Sequence, residues 1–365
     1  MKITRRTLLL LTLFLTSAYA SWQGIGVSYA VSESPCSPRC VSDVEVNTSI
    51  PVSSITETGD VITPASPPCT DAGLPESAGI SGPQIASDFE SQWALIKINA
   101  VPYARSAKSN TPVLVAVLDT GIDKNHEELS GRVIDGIELA GTSDIDDIYG
   151  HGTPVAGIIT AADDGLGVIG LAPDSFLINV KVADDKGKCR ASALAEGIIW
   201  AVDNGAKVIN ISIELKEGTP ALKEAVDYAW NSGAVVIAAA GNSGDSQPAY
   251  PAYYENCIAV TAIRENDTLA PLANYGDWVD VAAPGYNIYC ILPENSYGYK
   301  HGTSFAAAYV SGLAALLFPM MTDTNGDGNL NDEVRRAIES GCDAIDIDGT
   351  GWGNIDVAGS LAEVS

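Results

Sequence analysis

A series of short apolar runs that alternate with helical patterns constrains the fold of this chain more than any other feature. The apolar runs have the length of a buried strand and span residues 113–118, 177–182, 206–213, 234–240 and 257–262. The helical patterns between them span residues 154–161, 192–204 and 220–232. Buried strands that alternate with helices predict an α/β fold with a mainly parallel central sheet and helices on both faces. In such a sheet the functional side chains lie beyond the carboxyl ends of the strands.

Four polar residues stand at predicted strand ends or helix starts. Asp119 directly follows the run at residues 113–118, and Asn242 follows the run at residues 234–240. His151 precedes a helical pattern, and Ser304 opens a long apolar segment that predicts a buried helix. Because the backbone N–H groups at a helix start are unpaired and the helix dipole favours negative charge there, Ser304 is well placed for a reaction that forms an oxyanion.

A carboxylate, an imidazole, a side-chain amide and a hydroxyl are the parts of a serine acyl-transfer site. The chain has three histidines, and we favour His151 as the base. His301 is only three residues from Ser304, and His126 lies in a polar turn. The order Asp, His, Ser and the absence of a Gly-x-Ser-x-Gly motif argue against an esterase of the α/β-hydrolase type.

Composition and the N-terminus indicate an exported protein. A net charge of −26 with only 20 basic residues argues against nucleic acid or an anionic membrane surface as a partner. A basic N-terminus precedes the apolar run at residues 8–15, which predicts a signal peptide over residues 1–20, with cleavage after Ala30 as an alternative. We expect a secreted or extracytoplasmic protein; an uncleaved N-terminal tether is the alternative. We expect that no later stretch is long and apolar enough to span a bilayer.

The seven cysteines permit disulfides in an exported chain, and their odd number leaves at least one without an intramolecular partner. No Cys-x-x-Cys pair is present, so a zinc site is not predicted. Residues 21–84 are rich in Ser, Pro and Thr and have no sustained periodicity, which indicates a stalk or pro-segment.

Short motifs near the four polar residues resemble those of the subtilisin family of serine endopeptidases, the subtilases. The motifs that carry the resemblance are Asp119-Thr120-Gly121-Ile122, His151-Gly152-Thr153, Ala239-Ala240-Gly241-Asn242 and Gly302-Thr303-Ser304. The resemblance implies a three-layer subtilisin-like fold for a peptidase domain at residues 85–365. It also implies hydrolysis of protein or peptide substrates, and we expect a monomer.

The resemblance assigns a role to each of the four residues. Ser304 would attack the scissile carbonyl, His151 would transfer the proton, and Asp119 would orient the imidazole. Asn242 and the backbone N–H of Ser304 would hold the oxyanion. The alternative is a catalytically idle or latent binding domain with the same fold. An idle domain predicts damage to a catalytic position, and the sequence shows none.

Residues that match the family's substrate-binding segments depart from its usual pattern. The wall of the primary specificity pocket corresponds to Ile213 and Glu214, together with Gly241, and the family usually has glycine where Glu214 stands. Glu214 either selects Lys or Arg, fills the pocket so that only small residues fit, or points to solvent. On the opposite strand, Lys188 and Arg190 suggest tolerance of acidic substrate residues, and the neighbouring Cys189 suggests sensitivity to thiol reagents.

Two loops are predicted to bind calcium. The resemblance implies one site with side-chain ligands Glu128, Asp164 and Asp88 and carbonyl ligands Ala162, Leu166 and Val168. A second site is indicated by Asp323, Asn325 and Asp327, which follow the EF-hand pattern through its sixth position. Its twelfth position is Val334 instead of an acid, so the alternative is a polar turn in which Asn331 caps the next helix.

Overall fold

Helices and strands alternate along the chain, as the apolar runs predict. The computed structural model describes residues 61–62, 91–106 and 111–364. The helices are α1 Trp93–Lys97, α2 Val101–Ser106, α3 Gly152–Thr160, α4 Ala191–Asp203, α5 Pro220–Asn231, α6 Thr303–Leu317, α7 Asn331–Ser340 and α8 Val357–Ala362. The strands are β1 Val61–Ile62, β2 Leu114–Asp119, β3 Val133–Glu138, β4 Phe176–Lys181, β5 Cys189–Arg190, β6 Val208–Ile211, β7 Val235–Ala239, β8 Cys257–Ile263, β9 Val281–Pro284, β10 Ile288–Leu292 and β11 Ser296–Lys300.

Seven of these strands form one sheet in the order β3-β4-β2-β6-β7-β8-β9, and every neighbouring pair is parallel. Two further pairs are antiparallel, the hairpin β10–β11 and the short pair β1–β5. The parallel sheet confirms the predicted α/β class. It also brings the carboxyl ends of its strands to one edge, where the site residues are expected.

Helices cover both faces of the sheet, which confirms the predicted three layers. In β2, Val115 and Val117 pack into one apolar cluster together with α3 and α6. Their neighbours Ala116 and Leu118 pack into a second cluster with α4 and α5. Because side chains on both faces of β2 are buried, its sequence is a continuous apolar run instead of an alternating one.

The central helix α6 is buried along its whole length. Together with the short 3-10 helix Phe318–Met320 it forms an 18-residue apolar segment, Thr303–Met320, with a mean hydropathy of 1.5. The expectation that no later stretch is long and apolar enough to span a bilayer is therefore wrong. Since 89% of this segment is buried inside the protein, the apolar composition is that of a core helix.

The structure corrects several details of the sequence prediction. The strand predicted at residues 206–213 is limited to Val208–Ile211, so Ser212 and Ile213 lie beyond its end. Strand β3 was not predicted, because Asp135 and Glu138 interrupt its apolar pattern. All four cysteines in the described residues are free thiols, namely Cys189, Cys257, Cys290 and Cys342. The other three cysteines lie outside the described residues.

Candidate active site

Asp119 and His151 form a buried pair at the carboxyl edge of the sheet. Asp119 is the last residue of β2, and His151 directly precedes α3. The Nδ1 atom of His151 lies 2.8 Å from Oδ1 and 3.0 Å from Oδ2 of Asp119. Because an ionised carboxylate only accepts hydrogen bonds, Nδ1 carries the proton and Nε2 has a lone pair. Among the described residues Nε2 has no hydrogen-bond partner, although it is buried.

A second carboxylate, Asp147, connects the strand end to the start of α3. Its Oδ1 accepts from the Thr120 hydroxyl at 2.6 Å and from the backbone N–H of Gly150 at 2.8 Å. Its Oδ2 accepts from the backbone N–H and the hydroxyl of Thr153 at 2.8 Å and 2.7 Å. Asp147 is 4% exposed. This carboxylate therefore fixes the residues on both sides of His151, a role that the sequence did not indicate.

Ser304 lies in the first turn of α6 and is fully buried. Its hydroxyl donates to the carbonyl oxygen of Ser212 at 3.5 Å, and the Ser212 hydroxyl donates to the carbonyl of Ser304 at 3.4 Å. The ring of Phe305, the next residue, is 5.6 Å from the ring of His151 between centroids. These contacts place Ser304 between the His151 loop and the end of β6.

The side chain of Asn242 has a defined orientation beside the start of α6. Its Oδ1 accepts from the backbone N–H of Thr303 at 3.0 Å, and the Thr303 hydroxyl is 3.4 Å away. The Thr303 hydroxyl also accepts from the N–H of Gly241 at 3.1 Å. Because Oδ1 faces Thr303, the amide Nδ2 faces away, buried and without a partner in the described part of the chain. Thr303 thus orients Asn242.

The arrangement can carry out acyl transfer. Asp119 holds one nitrogen of His151 and leaves the other as a proton acceptor. Ser304 supplies a hydroxyl at the positive end of α6. Asn242 is held beside the start of α6 through its Oδ1 and keeps two buried N–H donors without a partner among the described residues, which suits them to stabilise a developing negative charge.

The predicted specificity wall turns inward. Ile213 is buried, and the Glu214 Oε2 atom accepts a hydrogen bond from the backbone N–H of Asn242 at 3.1 Å. The alternative in which Glu214 points to solvent is therefore wrong. Burial raises the pKa of Glu214 to about 7, while the bond from Asn242 and the charge of Lys216 act in the opposite direction. Gly241 lies directly against this carboxylate, since a Cβ atom there would be 2.0 Å from Oε2.

The opposite strand differs from the expectation for its charged residues. The guanidinium of Arg190 donates to the carbonyls of Leu139 and Ala140 at 3.1 Å and 3.3 Å, so it stabilises this loop of the protein itself. Lys188 is exposed. Cys189 is 1% exposed, and burial raises the pKa of its thiol, which argues against the expected thiol sensitivity. The backbone of β5 pairs antiparallel with β1.

The first predicted calcium loop encloses an incompletely satisfied carboxylate. Glu128 is 1% exposed, and its Oε1 accepts from the Tyr297 hydroxyl at 2.9 Å and from the N–H of Val168 at 3.2 Å. Its Oε2 is buried without a partner among the residues described, and burial raises the pKa of this carboxyl to about 7. A Cβ atom at Gly167 would be 2.0 Å from Oε1, so the loop backbone lies directly on the carboxylate.

A hard cation fits this environment, because a carboxylate oxygen without a partner in the described residues lies in the same side chain against which the loop backbone packs. Within the described ranges no cluster of three or more His, Cys, Asp or Glu residues is arranged to hold a metal, so most ligands would be carbonyls such as those of Ala162, Leu166 and Val168. Asp164 is exposed and accepts from the N–H of Leu166 at 2.9 Å. Asp88 lies outside the described residues.

Gln92 supports the same loop and was not predicted from the sequence. Its side-chain amide donates to the carbonyl of Ile169 at 2.9 Å and accepts from the Ile169 N–H at 3.0 Å. This pair of bonds mimics a backbone ladder and fixes the residue that follows Val168. The loop is therefore attached to the N-terminal arm even without a cation.

The second predicted calcium loop is closed by its own hydrogen bonds. The two carboxylate oxygens of Asp323 accept from the N–H groups of Gly326 and Gly328 at 2.6 Å and 2.9 Å. The side-chain oxygens of Asn325 and Asp327 accept in the same way from residues two positions further on. Asn331 does not cap the next helix, as the alternative supposed; its amide donates to the Trp230 carbonyl at 3.1 Å.

Sequence comparisons agree with the geometry of the site. Residues 110–344 match the model of the subtilase family. A thermophilic serine proteinase of Bacillus sp. (strain AK1) is 45% identical over 239 residues, which are 65% of this chain and 58% of that protein. Thermitase of Thermoactinomyces vulgaris is 40% identical over 263 residues, 72% of this chain and 91% of thermitase. Subtilisin E of Bacillus subtilis (strain 168) is 38% identical over 275 residues, 73% of this chain and 70% of that protein.

Proposed function

The chain belongs to the subtilase family of serine endopeptidases, and from this premise we propose that it hydrolyses peptide bonds through Asp119, His151 and Ser304. The observation that carries the assignment is a pair of buried polar atoms without partners among the described residues, Nε2 of His151 and Nδ2 of Asn242. Their side chains contact Phe305 and Thr303, the two chain neighbours of Ser304. These two atoms supply the proton acceptor and the oxyanion donor that acyl transfer requires.

In the proposed reaction, the Ser304 Oγ attacks the scissile carbonyl carbon while His151 Nε2 takes the hydroxyl proton. Asp119 stabilises the imidazolium through Nδ1. The carbonyl oxygen becomes an oxyanion, which accepts from Asn242 Nδ2 and from the backbone N–H of Ser304. His151 then gives its proton to the leaving amine, the C–N bond breaks and an acyl-enzyme forms. Water repeats the sequence with His151 as base and releases the acid.

We propose that the substrate binds as an extended strand along β5. The antiparallel pairing of β5 with Val61–Ile62 supports this mode, because a short extended segment of the chain pairs with β5 in the way proposed for a substrate. The same pairing favours a latent form as the second candidate function, since a segment of the chain then covers the substrate edge. The substrate class proposed is protein or peptide.

We propose that the loop around Glu128 binds a structural Ca²⁺, held by Glu128, Asp164, Asp88 and the carbonyls of Ala162, Leu166 and Val168. The unpaired Oε2 of Glu128 supports this assignment. A second Ca²⁺ at Asp323, Asn325 and Asp327 rests on the sequence pattern alone. When bound, the cation would neutralise buried negative charge and hold the loop that follows α3.

We propose that residues 1–20 direct export, that residues 21–84 form a stalk or pro-segment, and that residues 85–365 form the peptidase domain. We further propose that the protein is secreted or surface-tethered and that it is a monomer. N-terminal sequencing of the mature protein from the culture medium tests it: an N-terminus near residue 85 indicates a removed pro-segment, and one near residue 21 or 31 indicates a retained stalk.

Hydrolysis of casein and a fluorogenic peptide by the full chain tests the proposed mechanism. We expect wild type to be active and labelled on Ser304 by a serine-directed phosphonate, and Ser304→Ala to lose both properties. Ser340→Ala is the control, because this exposed serine lies in α7 away from the site. A folded wild type that neither cleaves nor labels, before and after limited proteolysis of residues 21–84, would exclude both the active and the latent enzyme.

A further inference from the structure

The side chain of Glu214 bridges two segments that flank Ser304. It leaves the segment that follows β6 and reaches the backbone of Gly241 and Asn242, where its Oε2 accepts a hydrogen bond at 3.1 Å. Gly241 has a φ of +104°, and a Cβ atom there would overlap the carboxylate. A glycine is therefore required at this position, because it provides both the backbone conformation and the space for the carboxylate.

Glu214 lines a cavity of about 360 Å³. Two of its lining residues are close in the chain to residues that contact the proposed nucleophile or its neighbour. Glu214 is two residues after Ser212, which contacts Ser304, and Ser243 directly follows Asn242, which contacts Thr303. The walls are formed by residues on both sides of the Glu214 bridge, including Leu215, Ser243, Ala249, Tyr250 and Asn274. This volume lies within the range of pockets that bind small molecules and exceeds that of a single amino-acid side chain.

The charges in the cavity wall favour a cation. Glu214 and Asp245 are acidic, and Lys216 is the one basic residue among those that line the cavity. Lys216 and Asp245 are exposed to solvent, whereas Glu214 is partly buried. The Glu214 carboxylate accepts a single hydrogen bond from the residues described, so it is desolvated without full compensation. A cation brought into the cavity would provide the missing partner.

We propose, on the basis of the endopeptidase function above, that this cavity binds the substrate side chain immediately before the scissile bond and that Glu214 selects lysine or arginine there. The aliphatic part of the long side chain would pack against Ala249 and Tyr250, and its charged end would pair with the carboxylate. The alternative in which Glu214 fills the pocket does not account for the 360 Å³ that remains beside it.

The test compares kcat/KM for peptides that differ only in the residue before the scissile bond. The series contains Lys, Arg, Met, Phe, Ala and Glu, with Met as the neutral side chain of similar length. At pH 8 we expect wild type to prefer Lys and Arg over Met by about tenfold or more, and Glu214→Gln to reduce this ratio to about threefold or less. Glu217→Gln removes an exposed carboxylate outside the cavity wall and keeps the wild-type ratio.

A pH series separates selection by charge from selection by size. Because burial raises the pKa of Glu214 to about 7, its carboxyl ionises between pH 6 and 8. The preference for Lys over Met therefore increases across this interval in wild type and stays constant in Glu214→Gln.

Wild type that cleaves best after Ala or Phe, or that treats Lys and Met alike, overturns the selection by Glu214 but leaves the proposed function intact. An unchanged Lys to Met ratio in Glu214→Gln has the same meaning. Failure to cleave any peptide, with no phosphonate label on Ser304, overturns both proposals. The wild-type ratios decide the question even if the variant does not fold.

Discussion

Asp147 is predicted to be indispensable for the geometry of the site, although it contacts no reacting group. Its two oxygens accept four hydrogen bonds of 2.6–2.8 Å from Thr120, Gly150 and Thr153, and a fifth at 3.3 Å from the N–H of His151. Replacement by Asn keeps the size of the side chain but converts one acceptor oxygen into a donor. We therefore expect Asp147→Asn to lower both stability and activity.

The magnitude follows from the identity of the donors. Each oxygen of Asp147 receives one hydroxyl, from Thr120 or Thr153, and at least one backbone N–H. A hydroxyl can rotate to accept from the new NH₂ group, but a backbone N–H cannot. Whichever way the amide turns, a buried N–H loses its charged acceptor, which costs about 3 kcal/mol. For a chain of this size, with an unfolding entropy of about 2.1 cal/mol/K per residue, that corresponds to a decrease in Tm of about 4 °C.

Thermal unfolding is measured in a Ser304→Ala background, which prevents self-digestion, and kcat/KM is measured in the otherwise intact enzyme. We expect kcat/KM to fall by about tenfold or more, because the His151 loop loses its attachment to the end of β2. The control is Asp146→Asn, since the neighbouring Asp146 carboxylate accepts none of these bonds. If Tm changes by less than about 2 °C and kcat/KM by less than about twofold, Asp147 does not hold the loop.

Three further predictions concern other parts of the molecule. Asn242→Ala should lower kcat by about 10²–10³-fold with little change in KM, because Nδ2 would stabilise charge that develops only in the transition state. Steady-state kinetics in which KM rises and kcat stays unchanged would contradict this. Glu128→Gln should lower Tm in calcium, because it removes a ligand of the proposed cation. It should raise Tm in EDTA at pH 8, because a neutral amide then replaces a buried carboxylate that has no cation. Calorimetry in which the same protein, wild type or variant, has the higher Tm in both conditions argues against the site. Cys189 should react with a thiol reagent only after unfolding. Rapid labelling of Cys189 itself in the native protein would refute its burial.

The sheet could be predicted from the sequence because strands buried on both faces leave a strong signal. Strands β6, β7 and β8 have no exposed residue, so each appears as an uninterrupted apolar run. Strand β3 lies at the edge of the sheet and has two exposed residues, Ile134 and Asp135, and no fully buried one, so it lacks that signal. The hairpin β10–β11 also has mixed burial and was not predicted for the same reason.

For the candidate site, the sequence indicates which chemical groups are present but not how they are held. Asp119, His151, Asn242 and Ser304 stand at element ends that the apolar pattern reveals. Asp147 lies in an irregular loop, and nothing in its neighbourhood distinguishes it from Asp144 or Asp146. Its role depends on donors from Thr120, which follows β2, and from Thr153, which lies in α3. These two residues are far apart in the sequence and meet only in the folded structure.

The same reasoning explains why Glu214 required the structure. As a sequence feature it is compatible with selection of a cation, a filled pocket or exposure to solvent, because a glutamate side chain reaches in any of these directions. Its carboxylate is bonded to the N–H of Asn242 instead of pointing into solvent, and the cavity that it lines argues against a filled pocket.

Incomplete satisfaction of buried polar groups is the physical property that the proposed sites share. Nε2 of His151 and Nδ2 of Asn242 have no partner within the described residues, and neither has Oε2 of Glu128. An unpaired buried polar group destabilises the fold by about 1–3 kcal/mol. The three atoms differ in what would complete them, a serine proton, an oxyanion and a cation. Glu214 is a weaker case of the same kind, since its carboxylate has one donor where a solvated carboxylate has several. Substrate and calcium would therefore stabilise this fold at the positions where its own sequence leaves polar groups unsatisfied.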